Sequence, residues 1–208
     1  MYIKNPRQIE NKSMDIIDEV MKDTSFTEEE MLVAKRMIHT TGDFEYRKII
    51  TFQNDFISEA KEAIASGAKI FTDTKMAYMG INKPALEKSN CQVKCFIDDK
   101  RVFEMAIKKS TTRSACAVDL AVEQGFHIFV IGNAPTALFR VLELVNEGKI
   151  NPKFVVGVPV GFVGAAESKE ELRKYDIPSV STVGTKGGSN VAASIINALL
   201  YMVVGRWV

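Results

Sequence analysis

The sequence predicts an α/β protein: a single domain with a mostly parallel sheet, helices on both faces and a ligand site at the carboxyl edge of the sheet. Two observations support this. Short apolar, β-branched runs alternate with stretches of helical periodicity from about residue 69 onward. Polar or glycine-rich turns follow several of these runs. A chain of 208 residues is long enough for one large domain, and no linker divides it, so we expect one domain spanning residues 1–208.

The chain opens with a predicted helix. Asn5 and Pro6 suit its N-cap and first helical position. Five residues recur at helical spacing and are expected on the inward face: Ile9, Ser13, Ile16, Ile17 and Val20. Ser13 is the one hydroxyl on that stripe, and it either bonds to its own helix or faces a cavity.

The second predicted helix ends beside an informative histidine. Thr27 and Glu30 form a capping box at its start, and Gly42 supplies a left-handed stop. His39 therefore lies in the last turn, where the negative end of the helix dipole favours the imidazolium by about 0.3–1 kcal/mol. Such a side chain is suited to donate a proton near neutral pH, but a surface histidine that only caps the helix has the same pattern.

The rest of the chain predicts six strands and further helices. The predicted strands are Lys48–Phe52, Lys69–Thr72, Gln92–Ile97, His127–Ile131, Phe154–Val158 and Ser179–Val183. The predicted helices start at Asn54 or Asp55, at Thr112, at Asn133–Pro135, near Ala165 and at Val191, the last being a buried helix through Val204. His127, at the start of a strand, is interpreted as structural.

Loops after four of these strands suggest where a ligand binds. These loops are Asp73–Met76, Gly132–Thr136, Pro159–Gly164 and Gly184–Asn190, and Arg113 begins a further helix. They leave the carboxyl edge of the sheet, where glycines allow close backbone approach and helix N-termini offer unpaired amides to anions. For any single loop, a tight turn is the simpler explanation. Together they predict a large ligand with several negative groups at its edge.

Composition and motifs argue against several classes of protein. The net charge of +1 gives no reason to expect a nucleic-acid or membrane partner. We expect neither a signal peptide nor a membrane-spanning segment. Three cysteines without zinc spacing predict reduced thiols, a cytoplasmic protein and no protein-bound metal. Dinucleotide, P-loop and nucleophile-elbow motifs do not match.

Five motifs together carry a resemblance to a known family. They are Arg36–Asp43, Thr112–Ser114, Ile131–Leu138, Val156–Lys169 and Gly184–Asn190. On these motifs the chain resembles the precorrin-8X methylmutase family of cobalamin biosynthesis, which also includes cobalt-precorrin-8 methylmutases, from about Pro6 to Leu200.

The resemblance implies an isomerase that moves a methyl group from C-11 to C-12 of a corrinoid by a 1,5-sigmatropic type of shift. The substrate would be precorrin-8X or cobalt-precorrin-8, and the product hydrogenobyrinate or cobyrinate. The family's catalytic histidine falls on His39, which would protonate the ring-C nitrogen. Its substrate-binding positions fall on Ser13, Arg36, Arg113, Lys186, Gly187 and Gly188. Thr185 stands where the family leads us to expect a basic residue, so it is not assigned.

The resemblance further implies a homodimer and no cofactor, since any cobalt is carried by the substrate. Two other readings stay open. A non-catalytic corrinoid carrier would keep the anion-binding loops without needing His39. A nucleotide-dependent α/β transferase would use the same glycine loops for phosphates.

Overall fold

A computed structural model describes residues 2–205, within which six strands form one sheet in the order β1-β6-β5-β4-β2-β3. The strands are β1 Ile50–Gln53, β2 Lys69–Thr72, β3 Gln92–Lys94, β4 Ile128–Ile131, β5 Phe154–Gly157 and β6 Ser179–Thr182. β1 is antiparallel to β6, and the other neighbours are parallel. The predicted α/β class with a mostly parallel sheet is confirmed.

Helices cover both faces of this sheet. They are α1 Pro6–Met21, α2 Glu28–Thr41, α3 Tyr46–Ile49, α4 Phe56–Ala65, α5 Lys75–Gly80, α6 Lys83–Lys88, α7 Lys100–Lys109, α8 Arg113–Glu123, α9 Pro135–Asn146, α10 Ala165–Leu172 and α11 Ser189–Val204. Between residues 2 and 205, no helix combines the length and apolar character that crossing a membrane requires.

Alternate residues of the central strands enter two separate hydrophobic cores. Ile70 and Ile128 pack in the first core with α1, α2, α4, α6 and α11. Phe71 and Phe129 pack in the second core with α7, α8, α9 and α10. Because strand side chains alternate between faces, continuous apolar strands of this kind require helices on both sides.

The chain changes direction across the sheet between β2 and β4. It runs from β2 outward to β3, then returns past β2 to β4 and continues to β5 and β6. Right-handed crossovers in opposite directions place α6 and α8 on opposite faces. The resulting switch point between β2 and β4 is where open α/β sheets commonly bind ligands.

Several predicted boundaries are wrong near the edges of the sheet. Residues 48 and 49 belong to α3, so the predicted strand Lys48–Phe52 begins at Ile50. The predicted strand Gln92–Ile97 ends at Lys94, because β3 is an edge strand paired only with β2. α5 and α6 were not predicted because each is only six residues long, and α7 was missed although its apolar residues recur at helical spacing.

The inward face of α1 also differs from the prediction. Ile17 is buried, but Ile9 and Ile16 are 47% and 50% exposed. The buried stripe instead continues to Met21 and is flanked by the half-buried Met14. A helix that packs at the margin of the core, as α1 does on α2, buries a narrower stripe than its apolar residues suggest.

Candidate active site at the carboxyl edge of the sheet

A cavity of about 280 Å³ lies between α1 and the end of α2. Its lining consists of Ser13, Ile16, Ile17, Ile38, His39, Gly42 and Phe44. The cavity therefore contains the two residues, Ser13 and His39, that the sequence places on α1 and α2. Its other side chains are apolar, and the imidazole of His39 is exposed rather than enclosed by the chain.

Local sequence signals hold His39 in place. The Thr27 hydroxyl accepts the Glu30 amide, and the Glu30 carboxylate accepts the Thr27 amide, which confirms the capping box. At the other end, Gly42 adopts φ 65° and donates its amide to the Ile38 carbonyl at 2.8 Å. His39 thus occupies the last turn of a helix fixed at both ends, as predicted.

The Ser13 hydroxyl donates to the Ile9 carbonyl at 2.8 Å, four residues earlier in the same helix. Its lone pairs remain available to accept a hydrogen bond. Ser13 therefore does both of the things that the sequence left open: it bonds to its own helix and it lines a cavity.

The segment after α2 is bound to the loop after β6. The Lys186 ammonium donates to the Asp43 carboxylate and to Glu45 Oε2, the latter at 2.7 Å. The Tyr46 hydroxyl donates to the Gly187 carbonyl at 3.3 Å. Since the loop leaves the carboxyl end of β6, these contacts place the His39 end of α2 at the predicted edge of the sheet.

These ion pairs define the charge state of the segment. The hydrogen bond from Lys186 holds the pKa of the Asp43 carboxyl below its ordinary value. The same carboxylates raise the pKa of Lys186, with the Asp43 hydrogen bond as the largest cause. Lys186 is therefore a permanent cation at neutral pH, already neutralised by two carboxylates.

Gly187 and Gly188 are required by close packing. A Cβ on Gly187 would lie 2.1 Å from the Val158 carbonyl oxygen, a distance that no side chain tolerates. Gly188 adopts φ 133° and donates its amide to the same oxygen at 2.9 Å. The loop 184–188 consequently lies directly on the segment that follows β5.

The helix N-termini at this edge differ in their caps. The Thr74 and Thr112 hydroxyls cap α5 and α8. α10 and α11 begin at Gly164 and Gly188, which provide no side-chain cap. Among these four helices, the positive ends without a side-chain cap follow β5 and β6, at the edge that holds Lys186. The start of α9, after β4, also has no side-chain cap, but Asp73 binds the amides just before it.

The loop after β4 does not offer its amides to a ligand, contrary to the prediction for Gly132–Thr136. Asp73, which is 1% exposed, accepts the amides of Gly132, Asn133 and Ala134 at 2.9, 2.8 and 2.8 Å. Burial raises the pKa of this carboxyl, and the three amides oppose that rise. A carboxylate of the chain itself thus occupies the anion site at the switch point.

The two arginines expected to bind substrate lie outside the His39 cavity. Arg36 lines a neighbouring groove of about 320 Å³ between α1, α2 and α11, with its guanidinium 5.5 Å from the centre of the Tyr201 ring. Arg113 starts α8 on the opposite face of the sheet, and its guanidinium lies 4.7 Å from the centre of the Phe103 ring. Ser13, His39, Lys186, Gly187 and Gly188 are therefore brought to one region, and Arg113 is not.

Sequence reasoning missed two polar groups and one apolar group near this region. The sequence places Asp73 in a ligand loop directly after a strand, but it does not predict that Asp73 accepts the amides of residues 132–134. Lys169 is fully buried on α10, and no local pattern reveals this. Phe44 lines the His39 cavity while remaining 41% exposed. Across residues 2–205 no group of three or more His, Cys, Asp or Glu side chains is arranged to hold a metal ion.

Fold and site together define the class: an α/β protein with a helix-terminal histidine beside glycine loops at the carboxyl edge of its sheet. A family model described as precorrin-8X methylmutase matches residues 8–202. The chain belongs to this family.

Individual relatives cover nearly the whole chain. It is 45% identical over 207 residues to the cobalt-precorrin-8 methylmutase of Salmonella typhimurium, which covers 96% of this chain and 97% of the relative. It is 38% identical over 201 residues to a precorrin-8X methylmutase of Sinorhizobium sp, with 95% of each chain covered. The solved precorrin-8X methylmutase from Thermus thermophilus superposes with a TM-score of 0.88 at 35% identity, covering 95% of this chain and 96% of that one.

Proposed function

We propose that this chain is an isomerase that moves a methyl group from C-11 to C-12 of precorrin-8X or cobalt-precorrin-8, with His39 as the proton donor. The observation that carries the proposal is the cavity shared by Ser13 and His39 at the carboxyl edge of a chain that belongs to this family. The shift is intramolecular, so it requires no methyl donor. A proton given to the ring-C nitrogen makes C-12 electron-poor, and the proton returns after migration.

Charge and surface at this edge fit an acid-rimmed, flat macrocycle. The starts of α10 and α11, which have no side-chain cap, offer unpaired backbone amides to an anion. Exposed apolar side chains follow β5, where Phe162 and Val163 are 93% and 90% exposed. Because Asp43 and Glu45 already bind Lys186, a substrate carboxylate would replace one of them.

Turnover by His39→Ala tests the role of the imidazole. We expect the methyl shift, followed by NMR of the methyl group, to slow by about 10²–10⁴-fold while product binding stays within a few-fold. His127→Ala is the matched control because His127 lies at the other edge, before β4, and its loss should leave turnover unchanged. Wild-type turnover by the His39→Ala protein would refute the proton-donor role.

The same assay distinguishes enzyme from carrier. A corrinoid carrier would bind precorrin-8X, as seen in its visible spectrum, and release it unchanged. Parallel reactions with metal-free and cobalt-loaded substrate identify the natural substrate. We propose that the chain uses no cofactor of its own, so turnover should persist after dialysis against a chelator.

We further propose a homodimer in which a second copy helps to enclose the ligand. Arg113 lies on the opposite face of the sheet from α2, and apolar side chains are exposed at the same edge, which favours a contribution from two copies. Light scattering should give twice the mass of the chain. Mixed His39→Ala and Arg113→Ala subunits should recover about one quarter of wild-type turnover if two copies share each site. No recovery would assign each site to one copy.

The setting of the thiols supports a reducing compartment. Cys91, Cys95 and Cys116 are all unpaired. Burial raises the pKa of the Cys95 and Cys116 thiols, which makes them poor nucleophiles. We propose the cytoplasm as the place where the chain acts.

A further inference from the structure

Lys169 is a buried cation without an acidic partner. Its side chain is 0% exposed, and no carboxylate within residues 2–205 lies at ion-pair distance from its ammonium. Burying a charge is costly unless hydrogen bonds replace the lost water. The two hydrogen bonds that the buried ammonium does make therefore indicate its structural role.

Both bonds lead to the loop that carries Lys186. The Lys169 ammonium donates to the Lys186 carbonyl at 2.8 Å and to the Thr182 hydroxyl at 3.1 Å. The Thr182 hydroxyl in turn donates to the same carbonyl at 2.6 Å. One carbonyl oxygen thus accepts two hydrogen bonds from beneath the loop, which fixes the plane of the following peptide bond.

The orientation of that peptide bond determines how the Lys186 side chain and the Gly187 carbonyl of the loop are directed. From the same residue, the Lys186 side chain extends to Asp43, four residues after His39. The carbonyl of the next residue, Gly187, accepts the Tyr46 hydroxyl, and Gly187 lies so close to the Val158 carbonyl that no side chain would fit there. Lys169 is therefore connected to the His39 segment through one residue, Lys186.

We propose that Lys169 is a positioning residue that holds the loop 184–188 so that Lys186 and the start of α11 face the substrate. This inference rests on the proposed function, because the group being positioned is an anion-binding loop. Lys169 itself does not touch the substrate. Its ammonium supplies one of the two hydrogen bonds that the Lys186 carbonyl accepts, and the Thr182 hydroxyl supplies the other.

Amide hydrogen exchange tests the positioning without any substrate. The methionine of Lys169→Met and the glutamine of Lys169→Gln have side chains of equal length, but only glutamine retains N–H donors. In the Met variant we expect the Gly188 and Gly161 amides, which bond to Val158 and Thr185, to exchange at least about tenfold faster. The Gln variant should restore part of the protection. Unchanged exchange at both amides in the Met variant would overturn the proposal.

Steady-state kinetics test whether the effect passes through Lys186. We expect Lys169→Met to raise KM by about 10–100-fold with kcat little changed, as for Lys186→Met. The double variant should be no worse than Lys186→Met alone. Additive losses, or a fall in kcat alone, would assign Lys169 a different role. Absence of turnover in the wild type would refute the proposed function, whereas the exchange measurement would still decide the positioning role.

Discussion

Replacement of Asp73 should destabilise the fold more than any ordinary helix-cap replacement. The carboxylate is buried and accepts three backbone amides at 2.8–2.9 Å. Asp73→Ala leaves those amides without an acceptor, and each buried, unsatisfied amide costs about 1–3 kcal/mol. Because the cavity left by the carboxyl admits water to some of them, we expect a total loss of about 3–5 kcal/mol. That is a large fraction of the stability of a typical domain.

Asp73→Asn separates charge from shape. The Asn133 and Ala134 amides both bond to Oδ2, and the Gly132 amide bonds to Oδ1. An asparagine oxygen can accept the first two, but its NH₂ group then faces the Gly132 amide, donor against donor. We expect a loss of about 2 kcal/mol.

Urea unfolding followed by far-UV circular dichroism measures both changes. Asp99→Ala is the matched control, because Asp99 caps α7 with a half-buried carboxylate and should cost about 1 kcal/mol. If Asp73→Ala were no more destabilising than Asp99→Ala, the Asp73 carboxylate would not be the acceptor that the β4–α9 loop requires.

Three further changes probe other parts of the chain. Gly187→Ala should weaken product binding by at least about tenfold, because its Cβ would lie 2.1 Å from the Val158 oxygen and the loop would have to move. Unchanged binding, measured from the visible spectrum of the product, would contradict this. Burial lowers the pKa of Lys169 to about 8 from 10.5, so the unfolded state binds more protons between those values and folding gains stability as pH rises. The unfolding free energy of the wild type relative to Lys169→Met should therefore rise by up to about 3 kcal/mol from pH 8 to 10.5 in urea titrations, and a flat difference would refute the shifted pKa. Thr27→Ala should cost about 1 kcal/mol through loss of the capping box with Glu30, whereas Thr27→Ser should cost little.

α2 could be predicted in full because its signals are local. The capping box spans four residues, and Gly42 stops the helix by its own backbone preference. His39 therefore has a fixed place in its helix before any tertiary contact is known. The central strands were predicted for a related reason, since burial on both faces leaves continuous apolar runs.

Elements whose burial depends on distant partners were predicted less well. The stripe on α1 includes Ile9 and Ile16, which have the right spacing but remain about half exposed. The first residues of the predicted strand Lys48–Phe52 became α3, because a strand can begin only where β6 is available for pairing. Local sequence does not reveal either fact.

Some of the positive helix ends at the carboxyl edge are neutralised by the chain itself, and others are not. We infer the position of the site within this edge from that difference. Asp73 is 59 residues away from Gly132 in sequence, so its occupation of the switch point is visible only in the folded chain. With Asp73 bound to the amides just before α9 and the starts of α5 and α8 capped, we expect an anionic ligand to favour the uncapped starts of α10 and α11. Those are the helices beside the Lys186 loop, which binds the segment after His39. The helix starts that keep unpaired amides for an anion are therefore those beside the candidate proton donor, whereas the one lysine of the neighbouring loop is already paired with Asp43 and Glu45.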